Sequence, residues 1–277
     1  MKNEIYASTG AFTGRANGYN YNLIKELAPA IRCDGFELLI YSAWYDDFEN
    51  IMERIADFGL NFPVVHFDKC IGMLLADNTR ESVAQAMLDF KRNVWAAQKV
   101  GAKKAVFHLW GGEKSDISMA STVKLVPEMY RLCDEAGIEL LIENIPSKYY
   151  GPLFNWRTVK EVYPKARFIY DTRFGEFHAE HDCIMKSALW ISVKHIHISS
   201  YQRGNMQIWG LIRPILHPGE GSVDFDSLIS RMPEYAHSVT LESPVLSADG
   251  IVDVERLNRS LEYLYDKFEE KSHREEK

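Results

Sequence analysis

The sequence has little that would tie it to a membrane, a nucleic acid or an oxidising compartment. No apolar run approaches the roughly 20 residues that a spanning helix needs. The four cysteines, Cys33, Cys70, Cys133 and Cys183, are scattered and form no C-x-x-C pair. That argues against a zinc ribbon or a disulfide scaffold and for a reducing compartment. Lysine and arginine number 32 against 39 aspartates and glutamates, a net charge of −7, so there is no broad electrostatic footprint for nucleic acid. The opening residues, MKNEIYASTG, lack the basic and apolar regions of a signal peptide. No Gly-, Ser- or Pro-rich linker divides the chain, and no repeat is visible. The expectation is a cytoplasmic protein with one domain over residues 1–277 and no membrane or nucleic-acid partner.

What is present is ordinary globular composition: 277 residues, 46% hydrophobic and 26% charged, enough for a large core. Short apolar runs alternate with segments of helical period. The runs predict strands at Ile5–Thr9, Gly35–Ile40, Pro63–Phe67, Ala105–Trp110, Glu139–Ile145, Arg167–Asp171, Lys194–Ser199 and Ser238–Glu242. Helices are expected at Tyr21–Ile31, Asp46–Phe58, Asn78–Lys99, Ser121–Ala136, Asn155–Val162, Ala179–Trp190, Phe225–Met232 and Val252–Phe268. The charged tail EEKSHREEK reads as a solvated, fraying end. Eight strands alternating with helices over about 250 residues predict an α/β fold, a (β/α)8 TIM barrel with a C-terminal helix. A doubly wound open sheet is the alternative, but the glycines of STGAFTGRANG have the wrong spacing for its phosphate loop.

The strands share an unusual feature: LLIENIPS places a carboxylate, Glu143, in an apolar run. A buried charge needs a cation, a hydrogen-bond network or a catalytic task. Residues two apart on a strand share a face. The interior sets are therefore Val64, His66 and Asp68; Val106, His108 and Trp110; Leu141 and Glu143; Ile169 and Asp171; His195, His197 and Ser199; and Thr240 and Glu242. In each the polar group lies near the C-terminal strand end, where barrel enzymes build their sites. Singly, each has a plain reading. A strand histidine is more often a core residue than a ligand, Glu143 could pair with a basic residue, and Glu242 could cap the turn before Pro244. Jointly, so many carboxylates over one mouth would repel, and a divalent cation resolves the conflict. Mixed His/Asp/Glu donors suit Zn, Mn, Fe or Co.

The ordered motifs VVHFD, VFHLWGG, LLIENIP, FIYDTRF, HIHIS, HPGEG and LESP resemble those of the xylose isomerase-like TIM barrels. That family includes sugar phosphate isomerases and epimerases, ketose 3-epimerases, inosose isomerases and dehydratases, and AP endonucleases of the endonuclease IV type. The resemblance runs from the second strand, DGFELLI, to the eighth. It implies Glu143, Asp171, His197 and Glu242 as metal ligands. His66 and His108 match histidines that bind an additional metal in the endonucleases and often contact substrate in sugar-acting relatives. His195 matches a position without a ligand role. Glu220, in the GEG loop, could support the site or simply hold the loop.

There are departures from the family pattern. Phe174 stands where many relatives carry a histidine, and DTRFGEFH reaches one only at His178. The endonucleases' Asp-x-His pair before the GEG loop is absent from RPILHPGEG, so a trinuclear site looks incomplete. Arg213 and His217 could instead contact a substrate hydroxyl or phosphate. Glu37, Trp44 and Trp110 could line the pocket. The resemblance implies an isomerase or epimerase acting on a small sugar or sugar phosphate, with Glu143 and Glu242 moving a proton through a metal-stabilised enediolate. The alternatives are abasic-site phosphodiester hydrolysis and a non-catalytic sugar-binding barrel. The outer helices could support a homodimer, by analogy with the fold.

Overall fold

The computed structural model describes residues 3–111, 115–147, 149–203, 212–232 and 238–275. Gly112 of the VFHLWGG motif and the last two tail residues lie outside them. Eight parallel strands close into a barrel in chain order: β1 (Glu4–Ser8), β2 (Gly35–Leu39), β3 (Val64–His66), β4 (Lys104–Phe107), β5 (Glu139–Glu143), β6 (Phe168–Asp171), β7 (Val193–Ile198) and β8 (Ser238–Leu241). β8 pairs with β1, so no strand edge is left open. Each expected strand is found, with ends shifted by at most three residues, and the barrel replaces the open-sheet alternative. Asp68, His108 and Glu242 fall just beyond their strands, on the rim.

Around the barrel run α1 (Asn22–Leu27), α2 (Phe48–Ala56), α3 (Cys70–Asp77), α4 (Arg80–Lys99), α5 (Ser115–Thr122), α6 (Val126–Glu135), α7 (Pro152–Val162), α8 (Thr172–Phe177), α9 (His181–Met185), α10 (Phe225–Arg231) and α11 (Val254–Glu275). Sequence reasoning merges or misses several. Asn78, in the left-handed conformation, separates α3 from α4, which starts at a Thr79–Ser82 capping box. Pro127, in the first turn of α6, has no N–H to continue the preceding helix and divides the expected Ser121–Ala136 segment. The tail does not fray at Phe268: α11 runs to Glu275, and buried Lys271 donates to the Met232 carbonyl.

Two cores result. A large one fills the space between strands and helices, with Phe67, Phe90, Phe107, Trp156 and Phe168 among its fully buried rings. A small one plugs the barrel interior: Tyr6, Val64, Val106, Leu141 and Ile169. Four of these residues lie two positions before His66, His108, Glu143 and Asp171. The strand period thus stacks the polar groups one layer above an apolar plug.

Helix α3 crosses closely over the end of β4. A methyl group on Gly72 would run into the His108 carbonyl oxygen. Gly72→Ala is therefore expected to destabilise the protein by about 1–3 kcal/mol through overpacking, measured by chemical denaturation. Unchanged stability would mean that α3 is free to shift.

Candidate metal centre at the barrel mouth

Glu143, Asp171, His197 and Glu242 each direct a ligand atom toward one point, all within 4.8 Å of one another. The first three are fully buried; Glu242 retains 12% of its side-chain exposure. His197 Nδ1 is 2.9 Å from Glu143 Oε1 and 3.4 Å from Glu242 Oε2. Asp171 ends β6 and caps α8, its Oδ1 accepting from the backbone N–H groups of Arg173 (2.7 Å) and Phe174 (3.1 Å). Its Oδ2 is left buried without a hydrogen bond. The amide of Asn144 clamps the Asp171 backbone, accepting from its N–H (2.6 Å) and donating to its C=O (3.1 Å).

A second cluster shares Glu143. Its Oε2 lies 2.5 Å from His108 Nε2 and 3.6 Å from His66 Nε2, all within one potential ligand set. His66 Nε2 forms no hydrogen bond. Buried polar atoms are normally paired. Orphaned atoms on His66 and Asp171, aimed into two overlapping sets of hard and borderline donors that share Glu143, fit a divalent cation.

The electrostatics agree. Burial alone would raise Glu143, but the imidazoles of His108 and His197 outweigh it and hold the carboxyl well below its usual range. Burial opposes a charge on His197, yet Glu242, Glu37 and Glu143 together raise it well above an ordinary imidazole. Burial raises Asp171 to about 7, with repulsion from Glu143 and Glu242 that Arg173 only partly offsets. His108 is pushed down to about 3 by burial, leaving a neutral ring able to ligate.

Some expected site residues fall elsewhere. Glu37 is fully buried on the barrel side of His197, where His195, His197 and Thr240 occupy its oxygens; it cannot line the substrate pocket. Trp110 is buried, with its indole N–H donating to the Ile145 carbonyl (2.7 Å). Trp44 does likewise to the Tyr19 carbonyl. Both rings belong to the outer core. His217 ties the loop after β7 to α11, its Nδ1 2.7 Å from Ser260 Oγ and its Nε2 3.2 Å from the Pro244 carbonyl. With both nitrogens occupied, it serves the fold. Glu220 pairs with Arg256. Arg213 is exposed, and His178 packs on Phe177 at the end of α8; neither joins a ligand cluster.

Sequence reasoning also missed a residue. Arg173 is nearly buried, 3.6 Å from Asp171 Oδ2, with a second nitrogen on the Ile212 carbonyl (3.1 Å). A cation two residues beyond a ligand carboxylate, in DTRF, was the available signal.

Residues 26–267 match the family described as xylose isomerase-like TIM barrel, and the chain belongs to that family. No curated protein matches it. Among solved structures, IolI protein with a bound zinc atom aligns at TM-score 0.69 and 13% identity, over 96% of this chain and 98% of that one. D-allulose 3-epimerase from Methylomonas sp. in complex with D-allulose gives 0.70 and 14%, over 96% and 97%. The 3-keto-D-glucoside 4-epimerase YcjR from E. coli gives 0.61 and 20%, over 95% and 99%. At these identities the likeness establishes the fold.

A metal ion displaces protons from its ligands. Below pH 7, Asp171 and His197 both hold one in the metal-free protein. Zinc binding is expected to release about two protons at pH 6, falling toward one as the pH passes 7. Apparent affinity should accordingly climb about 100-fold per pH unit below 7 and about tenfold above it. Calorimetry in buffers of different ionisation enthalpy measures both, and proton-free binding at pH 6 would contradict this ligand set.

Proposed function

We propose that the protein is a divalent-metal-dependent isomerase or epimerase of a small sugar, polyol or sugar phosphate. The observation that carries this reading is the placing of Glu143 and Glu242 near one imidazole nitrogen, with Asp171 completing the ligand set. The structural neighbours that act on D-allulose and on a keto-glucoside support the substrate class, and zinc in IolI supports the cofactor. Zn, Mn, Co and Fe all suit the donors.

When bound, the ion supplies positive charge that polarises a carbonyl or hydroxyl oxygen and acidifies the neighbouring C–H bond. The protein's own groups do the rest. Asp171 and His197 hold the site in shape, Asp171 through its cap on α8 and its clamp by Asn144. Glu242, the more exposed carboxylate, takes the proton from the carbon next to the carbonyl. Glu143, on the buried side and ionised at rest, returns one after taking it up from solvent through the His108 ring 2.5 Å away, while Glu242 releases its own to solvent. Return to the same carbon gives an epimer; return to its neighbour gives an isomer.

The His66–His108–Glu143 set favours a second reading, a two-ion phosphodiester hydrolase for abasic DNA. The acidic balance and the missing Asp-x-His pair weigh against it. Ketoses and ketose phosphates incubated in deuterated water with metal-loaded protein test the choice. Exchange at the carbon beside the carbonyl is expected, reduced about 10²–10⁴-fold by Glu242→Gln, the range for loss of a general acid–base group. Cleavage of abasic DNA without exchange into any ketose would overturn the proposal.

A further inference from the structure

Beneath the metal ligands lies a third group of polar residues that the chemistry above does not use: Glu37, His195 and Thr240, all fully buried. Removing a carboxylate and an imidazole from water into a barrel interior is costly, and apolar side chains of similar volume would suit a core at least as well. From its geometry we infer that Glu37 is a positioning residue, which holds His197 with its hydrogen on Nε2 and so presents Nδ1 to the metal centre. We further infer that a one-way chain of hydrogen bonds from Lys104 sets the direction of Glu37's contacts. Both inferences rest on the metal-binding reading of the site.

The chain can be followed donor by donor. Lys104 begins β4, at the end of the barrel away from the mouth. Its ammonium donates to the Lys194 carbonyl (3.0 Å) and to Ser238 Oγ (3.1 Å). An ammonium accepts nothing, so the Ser238 hydroxyl directs its own hydrogen elsewhere. His195 Nδ1 lies 2.7 Å away and accepts it. With Nδ1 accepting, the ring's one hydrogen sits on Nε2, toward Glu37. The opposite tautomer would set a lone pair against Glu37 Oε2 at 3.2 Å. The Nε2 hydrogen points to Thr240 Oγ1 (2.8 Å) and Glu37 Oε2, and the Thr240 hydroxyl in turn donates to Glu37 Oε2 (2.8 Å). Glu37 has only acceptors to offer. His197 Nε2, 2.9 and 3.0 Å from the two Glu37 oxygens, must therefore be the donor. Nδ1 remains, on the side of Glu143 and Glu242. Metal-binding histidines commonly rely on such a carboxylate behind the ring.

The direct test is the tautomer. Full-length protein labelled with 15N-histidine and loaded with zinc is examined by long-range 1H–15N correlation. His197 is expected to bind zinc through Nδ1 with a protonated Nε2, and His195 to carry its hydrogen on Nε2. Glu37→Gln keeps the size but removes the charge, and should weaken zinc binding by about 10–100-fold while a full complement still binds at saturation. Should that variant misfold, Thr240→Val removes one donor to Glu37 at equal volume and should lower affinity in the same direction. Zinc on His197 Nε2, a hydrogen on His195 Nδ1, or unaltered affinity in Glu37→Gln would overturn the inference while leaving the metal-binding reading intact. Wild-type protein that takes up no zinc, manganese or cobalt would remove both.

Discussion

The cost of desolvating carboxylates in the barrel mouth organises this molecule. Glu143 and Asp171 are fully buried, and neither could hold a negative charge there alone. They sit in opposite conditions. Two imidazoles keep Glu143 ionised, whereas Asp171 has only a cation at 3.6 Å and two backbone N–H groups, and burial pushes it up to about 7. Without metal the site is therefore frustrated. One carboxylate is stabilised by histidines that would otherwise ligate, and the other is half-neutralised by a proton. The proposed divalent ion would relieve both conditions at once and make affinity and ionisation parts of a single equilibrium.

The period of the β-strand makes such a site possible in a stable fold. Its interior is built in two levels, two residues apart on each strand. The upper level carries His66, His108, Glu143, Asp171, His197 and Glu242. The lower is divided. Tyr6, Val64, Val106, Leu141 and Ile169 form a dry plug, while Glu37, His195 and Thr240 form a connected polar patch. The apolar half excludes water and raises the strength of every interaction above it. The polar half stands where a histidine ligand has a second nitrogen to satisfy.

Much of this was legible in the sequence, for physical reasons. Parallel barrel strands are buried on both faces and read as apolar runs, so all eight could be found. Polar residues interrupting those runs near their ends stood out, and Glu143, Asp171, His197 and Glu242 do converge. What a run cannot convey is height. Glu37 looked like a residue of the mouth because its strand ends soon after it, yet it lies beneath His197. Nor does an aromatic ring near a strand end reveal which way it faces, and Trp110 turned outward to the Ile145 carbonyl. His217 was read through the loop that carries it, whereas its contacts lie on a distant helix, at Ser260. Helix α8 escaped notice because its cap, Asp171, is also the last residue of a strand.

The sharing of Glu143 between two clusters bears on which chemistry the mouth favours. Its Oε1 faces His197 and its Oε2 faces His66 and His108, so one carboxylate can serve both sites only as a bridge. The two sites are not equivalent. The first has three carboxylates and an imidazole, enough negative charge to bind a divalent ion strongly. The second has a single shared carboxylate and two imidazoles. On the metal-binding reading, filling the first site would commit part of the Glu143 charge and leave a second ion to be held largely by the two rings. On that reading the first site would fill first, leaving the ring nitrogens of His66 and His108 beside it. Imidazole nitrogens at that position suit the hydroxyl groups of a polyol, which both donate and accept hydrogen bonds, better than they suit a second tightly held cation. That charge distribution supports the proposed sugar chemistry over phosphodiester hydrolysis.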